Sequence, residues 1–211
     1  MSMLTFKNFS KSYGSSCVLG INDFIIGPGL FWIKGANGSG KSTLLKSIAG
    51  IIDFDGDIVL ESNVSLKKNP IPYRRQINFA EAEPVFPEFL TGMELIKLFA
   101  NAKGGTSRQY LDYIEGMHMT EYMEDPLRTY SSGMLKKLSV VLAFLGSPKI
   151  ILLDEPLITM DAESLQILYS WIITMYEEQQ VTFLMSSHQP LDLSLDLHGL
   201  LVERQTLQSI A

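Results

Sequence analysis

Cysteine is nearly absent from these 211 residues: Cys17 is the only one. A single thiol makes no internal disulfide and no multi-cysteine metal site, so a buried or inert thiol is expected. Three histidines, at positions 118, 188 and 198, are scattered and form no metal-ligand cluster. Positive charge is also short. Lys and Arg number 17 against 23 Asp and Glu, for a net charge of −6. Nucleic-acid binders carry a basic face, so DNA or RNA is disfavoured as the main partner. Long apolar runs are missing too. Segments 138–145 and 150–153 are far too short to span a bilayer and are broken by Gly146, Pro148 and Lys149. Residues 1–7 lack the apolar stretch of a secretory signal. A cytoplasmic protein with no direct membrane insertion is expected, any membrane role coming through a partner. The chain is still 46% hydrophobic, ample for the core of one domain with an insertion or of two small lobes.

The most informative stretch is 35–43, Gly-Ala-Asn-Gly-Ser-Gly-Lys-Ser-Thr. It fits the phosphate-loop pattern G-x-x-x-x-G-K-[ST]. Glycines at 38 and 40 let the backbone curl and approach an anion closely, and successive N–H groups then point inward as a nest. Lys41 supplies a point charge for β- and γ-phosphates, and Ser42 a hydroxyl for Mg²⁺, a hard cation that prefers oxygen. An apolar run at 30–33 reads as a strand before the loop and 44–48 as a helix after it, the setting such a loop needs. Gly35, Asn37, Gly38, Ser39, Gly40, Lys41, Ser42 and Thr43 are the candidate nucleotide contacts.

Around this loop the chain alternates strand and helix signals. Residues 3–33 read as two or three strands, 42–49 as a helix stopped by Gly50, 55–60 as a turn and strand, 61–76 as a polar surface loop and 77–80 as a strand. Helical spacing dominates at 94–102, 107–117 and 132–145, where the methionines read as adaptable packing. Strand character returns at 149–153, with a helix at 162–178 and a strand at 181–185. The fold expected is α/β, a single domain over 1–211. Its core and β portion cover approximately 1–82 and 146–211, and its helical insertion approximately 83–145.

The apolar run at 149–153 ends in Asp154-Glu155-Pro156. Two acids directly after a buried strand are costly without a partner, and strand tips of open parallel sheets are where ligands bind. Asp154 reads as a Mg²⁺-organising group and Glu155 as a base, with Asp161 the better cap for the following helix. The strand at 181–185 delivers His188 to the same sheet edge, where a structural histidine and a functional one stand about even. Tyr13, before Gly14, reads on residue type alone as a strand-end aromatic.

In this order the motifs resemble those of the nucleotide-binding subunit of an ATP-binding cassette (ABC) transporter, over almost the full length. Residues 35–43 are similar to the family's phosphate loop and 150–155 to its acidic motif, with Glu155 in the catalytic place. Tyr130-Ser131-Ser132-Gly133-Met134 resembles the signature that normally reads L-S-G-G-Q, followed by Lys136-Lys137 where basic residues are usual. Met160-Asp161 matches the loop after the acidic motif, His188 the switch histidine and Tyr13 the aromatic that stacks on adenine. The resemblance implies a P-loop NTPase (RecA-like) core with an N-terminal antiparallel β subdomain and a helical insertion. It implies ATP and Mg²⁺ as cofactors, with Lys41, Glu155 and His188 catalytic and Ser42 and Asp154 at the metal. It also implies a head-to-tail dimer, of two copies or with a paralogue, in which Ser131 and Gly133 of one subunit close on the γ-phosphate held by the other and Asp161 links the sites. In the signature, Ser132 replaces a glycine and Met134 a glutamine, losing hydrogen-bonding capacity. At Ala82 the family places a metal- and partner-sensing glutamine; either Glu81 or Glu83 substitutes, or the contact is absent.

The function implied is an ATP-hydrolysing motor subunit on a separate membrane-spanning protein, peripheral on the cytoplasmic face of the inner membrane, of a small bacterial exporter or ABC-2-like type. Two alternatives stand beside it: a soluble ABC ATPase in a non-membrane assembly, and a weakly hydrolysing regulatory subunit. An exposed apolar groove beside the helical insertion favours the first, because a docking helix needs one.

Overall fold

A computed structural model describes residues 3–61, 63–191 and 195–210. The ends of the expected 1–211 domain and Ser62 of the expected 61–76 loop lie outside the described residues. Among the described residues, ten strands form two sheets. The first sheet takes β1 (Leu4–Tyr13), β2 (Ser16–Ile26), β4 (Asp55–Leu60) and β5 (Val64–Ser65) in the order β2-β1-β4-β5, with every pairing antiparallel. The second takes β3 (Leu30–Lys34), β6 (Ile77–Ala80), β7 (Ile150–Asp154), β8 (Thr182–Ser186), β9 (His198–Glu203) and β10 (Thr206–Ile210) in the order β10-β9-β3-β8-β7-β6. Its pairings are parallel except β9 with β10.

Buried parallel strands need apolar residues on both faces, and β7 and β8 have them. Alternation splits each strand between two cores. Ile151, Leu153, Phe183 and Met185 face one, and Ile150, Leu152 and Leu184 the other. The second core also takes Leu44, Leu45 and Ile48 of helix α1 (Lys41–Ile48) and Phe6, Phe9 and Ile58 of the antiparallel sheet. The first is covered by α5 (Ser132–Phe144) and α6 (Ala162–Gln179), with residues from α3 (Gly92–Lys103) and α4 (Ser107–Gly116). Met117, Met119 and Met123 are buried there as packing residues.

The structure differs from the expectation at two places. The polar stretch 61–76 is not all loop. It holds β5 and a short helix α2 (Pro70–Arg75), started by Pro70 and anchored by Tyr73, which is fully buried and donates to Ile48 O at 2.9 Å. The strands β9 and β10 were not anticipated. Their turn uses Arg204 and Gln205 at positive φ (49° and 61°), where the usual Asn or Gly signal is missing.

Asn78, buried in β6, holds the end of α5. Its Nδ2 donates to Ala143 O and Leu145 O, both at 2.8 Å, satisfying carbonyls the helix leaves free. Asn78→Ala is expected to cost about 1–3 kcal/mol of stability, read as a lower urea midpoint at unchanged slope.

Candidate active site

The phosphate loop leaves β3 and enters α1. A Cβ on Gly35 (φ 154°) would meet Ser39 Oγ and Val202 O, each at 2.5 Å, so only glycine fits the bend. Gly40 (φ 109°) caps α1 without a side-chain hydrogen bond, and no acid stands in the first turn. The N–H groups of that turn are therefore left for an anion. Lys41 is buried, and its Nζ donates to Gly35 O at 2.8 Å and Ala36 O at 3.2 Å. Beside the loop lies a cavity of ≈ 290 Å³ lined by Val18, Asn37, Gly38, Gly40, Lys41, Ser42, Thr43, Glu155 and His188. Residues more than a hundred positions apart thus share one space, as the sheet topology requires.

Beneath this cavity Asp154 is 1% exposed. One of its oxygens accepts from Ser186 Oγ at 2.6 Å, while Oδ2 is buried with no hydrogen-bond partner. Ser186 Oγ also accepts from Glu155 N at 3.0 Å, so one hydroxyl on β8 sets both acids. Glu155 itself is at φ 45°, a conformation that costs a non-glycine residue energy and recurs at functional sites. Its Oε1 is buried and accepts no hydrogen bond, although His188 Nε2 stands 3.2 Å away. The segment carrying His188 is pinned by Trp32, whose Nε1 donates to Ser187 O at 3.0 Å. Sequence reading missed Ser186 and Trp32, since a serine in a strand and a tryptophan in an apolar run carry no signal of their own.

Tyr13, Asp154, Gly35 and Ser39 do not line the cavity. Tyr13 ends β1, half exposed (54%), with Lys11 Nζ 4.6 Å from its ring centroid. Ser131, Gly133 and Asp161 are absent from the lining as well. Ser131 caps α5 by accepting from Met134 N at 3.2 Å, and Ser131 N reaches Met134 Sδ at 3.4 Å. The methionine therefore keeps a weak acceptor where a glutamine stood in the family pattern. A Cβ on Gly133 would stand 3.1 Å from Thr159 O, so the signature and the loop before Asp161 pack closely within one chain. Asp161 caps α6 through Ser164 N at 2.8 Å, as expected for a cap, and meets Lys137 Nζ at 2.9 Å. The Ser164 backbone and side-chain bonds and Lys137 hold its carboxyl well below the usual range.

At the Ala82 departure, Glu81 is bridged to Lys46 of α1 and Glu83 is exposed. Lys136 of α5 is 1% exposed, and burial pulls its ammonium down to about 8 against the opposing charges of Asp154, Glu155 and Glu81.

An ABC transporter family model matches residues 27–158. The lantibiotic transport ATP-binding protein SrtF of Streptococcus pyogenes is 27% identical over 88% of this chain and 80% of its own length. The uncharacterized ABC transporter ATP-binding protein YhcH of Bacillus subtilis is 26% identical over 88% of this chain, which spans 62% of YhcH. A solved ATP binding subunit of an ABC transporter superposes with a TM-score of 0.82 at 26% identity, covering 99% of this chain and 90% of that one. The ATP-binding cassette MJ0796, solved as a dimer with ADP and Pi, shares the fold at TM-score 0.80 and 18% identity, over 99% of each chain. These findings agree with the α/β P-loop architecture described above. With a family match over more than half its length, running from before the phosphate loop to just past the acidic strand, the chain belongs to the ABC transporter family as an ATP-binding subunit.

Proposed function

We propose that the chain is the ATP-hydrolysing motor of a transporter, working as one of a head-to-tail pair that drives a separate membrane-spanning protein. The observation that carries this is Glu155. Its carboxylate keeps a buried oxygen that accepts no hydrogen bond, with His188 Nε2 near it, and the residue lines the same cavity as a complete phosphate loop. Phosphoryl transfer asks mainly for positioning and charge stabilisation. The amides of 38–43 and Lys41 hold the phosphates. Glu155 orients the attacking water and accepts its proton. His188, 3.2 Å from that carboxylate, contacts the γ-phosphate and reports its loss. Tyr13 stacks on the adenine, leaving Lys11 on the other side of its ring.

Mg²⁺ fits the donors present. Asp154 Oδ2 is an orphaned buried anion, and Ser42 opens on the cavity. Among the described residues no group of three or more His, Cys, Asp or Glu could hold a metal. A cation here would take most of its ligands from phosphate and water, which is the habit of Mg²⁺. Held by Ser42 and Asp154, it would neutralise charge on the phosphates.

Ser131, Gly133 and Asp161 do not line this cavity in their own chain, in keeping with a site completed by a second subunit. Docking on a membrane partner is supported by an apolar cavity of ≈ 280 Å³ between the second sheet and the insertion, lined by Ile51, Phe79, Pro84, Phe86, Phe99 and Leu142 among others. Ile51, Val85, Phe89 and Leu98 are exposed large apolar residues on the same segments. Among the described residues no helix is long and apolar enough to cross a membrane.

The test is phosphate release by the purified chain. Release that saturates in ATP, needs Mg²⁺ and stops with EDTA is expected. Nucleotide binding with no release at any Mg²⁺ concentration would replace the motor with a regulatory subunit.

A further inference from the structure

Lys136 lies one turn into α5, buried below both the cavity and the loop that follows β6. Its Nζ makes three hydrogen bonds, to Asp154 O at 2.8 Å, Glu81 O at 2.9 Å and Ala82 O at 3.3 Å. That uses every proton of the ammonium, and all three acceptors are main-chain carbonyls. A buried ammonium is costly, and a leucine at this depth would pack without that cost. The geometry states what the charge holds: the tip of the acidic strand on one side and residues 81 and 82 on the other.

No side chain in this loop makes that link. Ala82 has no polar group, the Glu81 carboxylate is bridged to Lys46, and Glu83 is exposed. The loop then runs into Pro84 and Phe86, which line the apolar cavity. Beyond the β6–β7 ladder, where Ala80 pairs with Leu153, one ammonium ties the Asp154 carbonyl to those of Glu81 and Ala82, at the start of the loop that reaches the apolar cavity.

We propose that Lys136 is a positioning residue that couples the nucleotide site to loop 81–86 through backbone carbonyls, replacing the side-chain contact that Ala82 lacks. This rests on the ATPase reading. Lys136 does not line the cavity beside the phosphate loop, and its three donors are spent on main-chain carbonyls, so its effect should fall on turnover and on the loop, not on ATP affinity.

The test uses K136M, which keeps length and loses all three donors, and K136R, which keeps charge and donors. Outer partners of a metal site typically account for about 10–100-fold in activity. K136M is expected to lower kcat by that factor with KM within about twofold of wild type, and K136R to recover most of the loss. Hydrogen exchange adds a readout that a merely structural role would not move. Mg–ATP should slow the amides of 81–86 in wild type, and K136M should lose that slowing while still binding ATP. Unchanged turnover and exchange in K136M would overturn the proposal, as would parallel losses of kcat, affinity and melting temperature that K136R does not rescue. If neither variant folds, wild-type exchange decides, and no response of 81–86 to Mg–ATP overturns it. Wild type that binds ATP but never hydrolyses it contradicts the ATPase reading instead, a result distinct from all of these.

Discussion

Glu155→Gln is expected to lower ATP turnover by about 10²–10⁴-fold, the range a positioned general base contributes, while ATP still binds. The amide has nearly the shape of the carboxylate and leaves Asp154, Ser186 and the phosphate loop in place. It loses the negative charge, and with it the proton acceptor, of a side chain that lines the cavity. Because binding survives and hydrolysis does not, the stalled state should accumulate as an ATP-held pair of cassettes, measured by light scattering with and without ATP. The strained φ of Glu155 is fixed by backbone bonds from Glu155 N to Ser186 O and Oγ, so the variant side chain should occupy the same place. Turnover within twofold of wild type would remove Glu155 from the mechanism.

Lys41→Ala is expected to abolish useful ATP binding. In the structure Nζ already rests on Gly35 O and Ala36 O, so little ordering is left to be done when phosphate enters. Hydrogen bonds to charged groups contribute about 1.5–3 kcal/mol each. Losing contacts to two phosphates therefore costs about 3–6 kcal/mol, or roughly 10²–10⁴-fold in Kd. Titration with a fluorescent nucleotide reads this directly, and the melting temperature of the variant shows whether the loop still folds. An unchanged Kd would mean that the backbone nest alone carries the affinity.

The core elements were legible because their chemistry is local. Residues 35–43 dictate a phosphate loop by type and spacing, and Ile-Ile-Leu-Leu before Asp154 reads as a parallel strand covered on both faces. The α3, α4 and α5 helices followed from apolar spacing, with boundaries within a few residues. Less legible were features whose meaning lies in a distant partner. Tyr73 anchors a helix inside a polar stretch by reaching Ile48 O. Ser186 sets two acids across neighbouring strands, and Trp32 pins the peptide before His188. Lys136 read as one basic residue in a pair, yet it is buried while its neighbour Lys137 reaches Asp161 at the surface. The Ala82 departure was visible in the sequence. What the structure adds is that Glu81 is committed to Lys46 and that the loop is held by its main chain.

ATP hydrolysis in this chain is proposed to drive a membrane-spanning partner docked on the apolar cavity beside the insertion. The most direct measurement is a tagged pull-down from detergent-solubilised native membranes, with co-purifying chains identified by mass and ATPase activity followed in the eluate. A multi-spanning membrane protein is expected in the eluate, lost when Phe86 and Phe99 of the cavity are replaced by charged residues. A soluble partner, or no partner while ATPase activity persists, would contradict it and place this cassette in a non-membrane assembly.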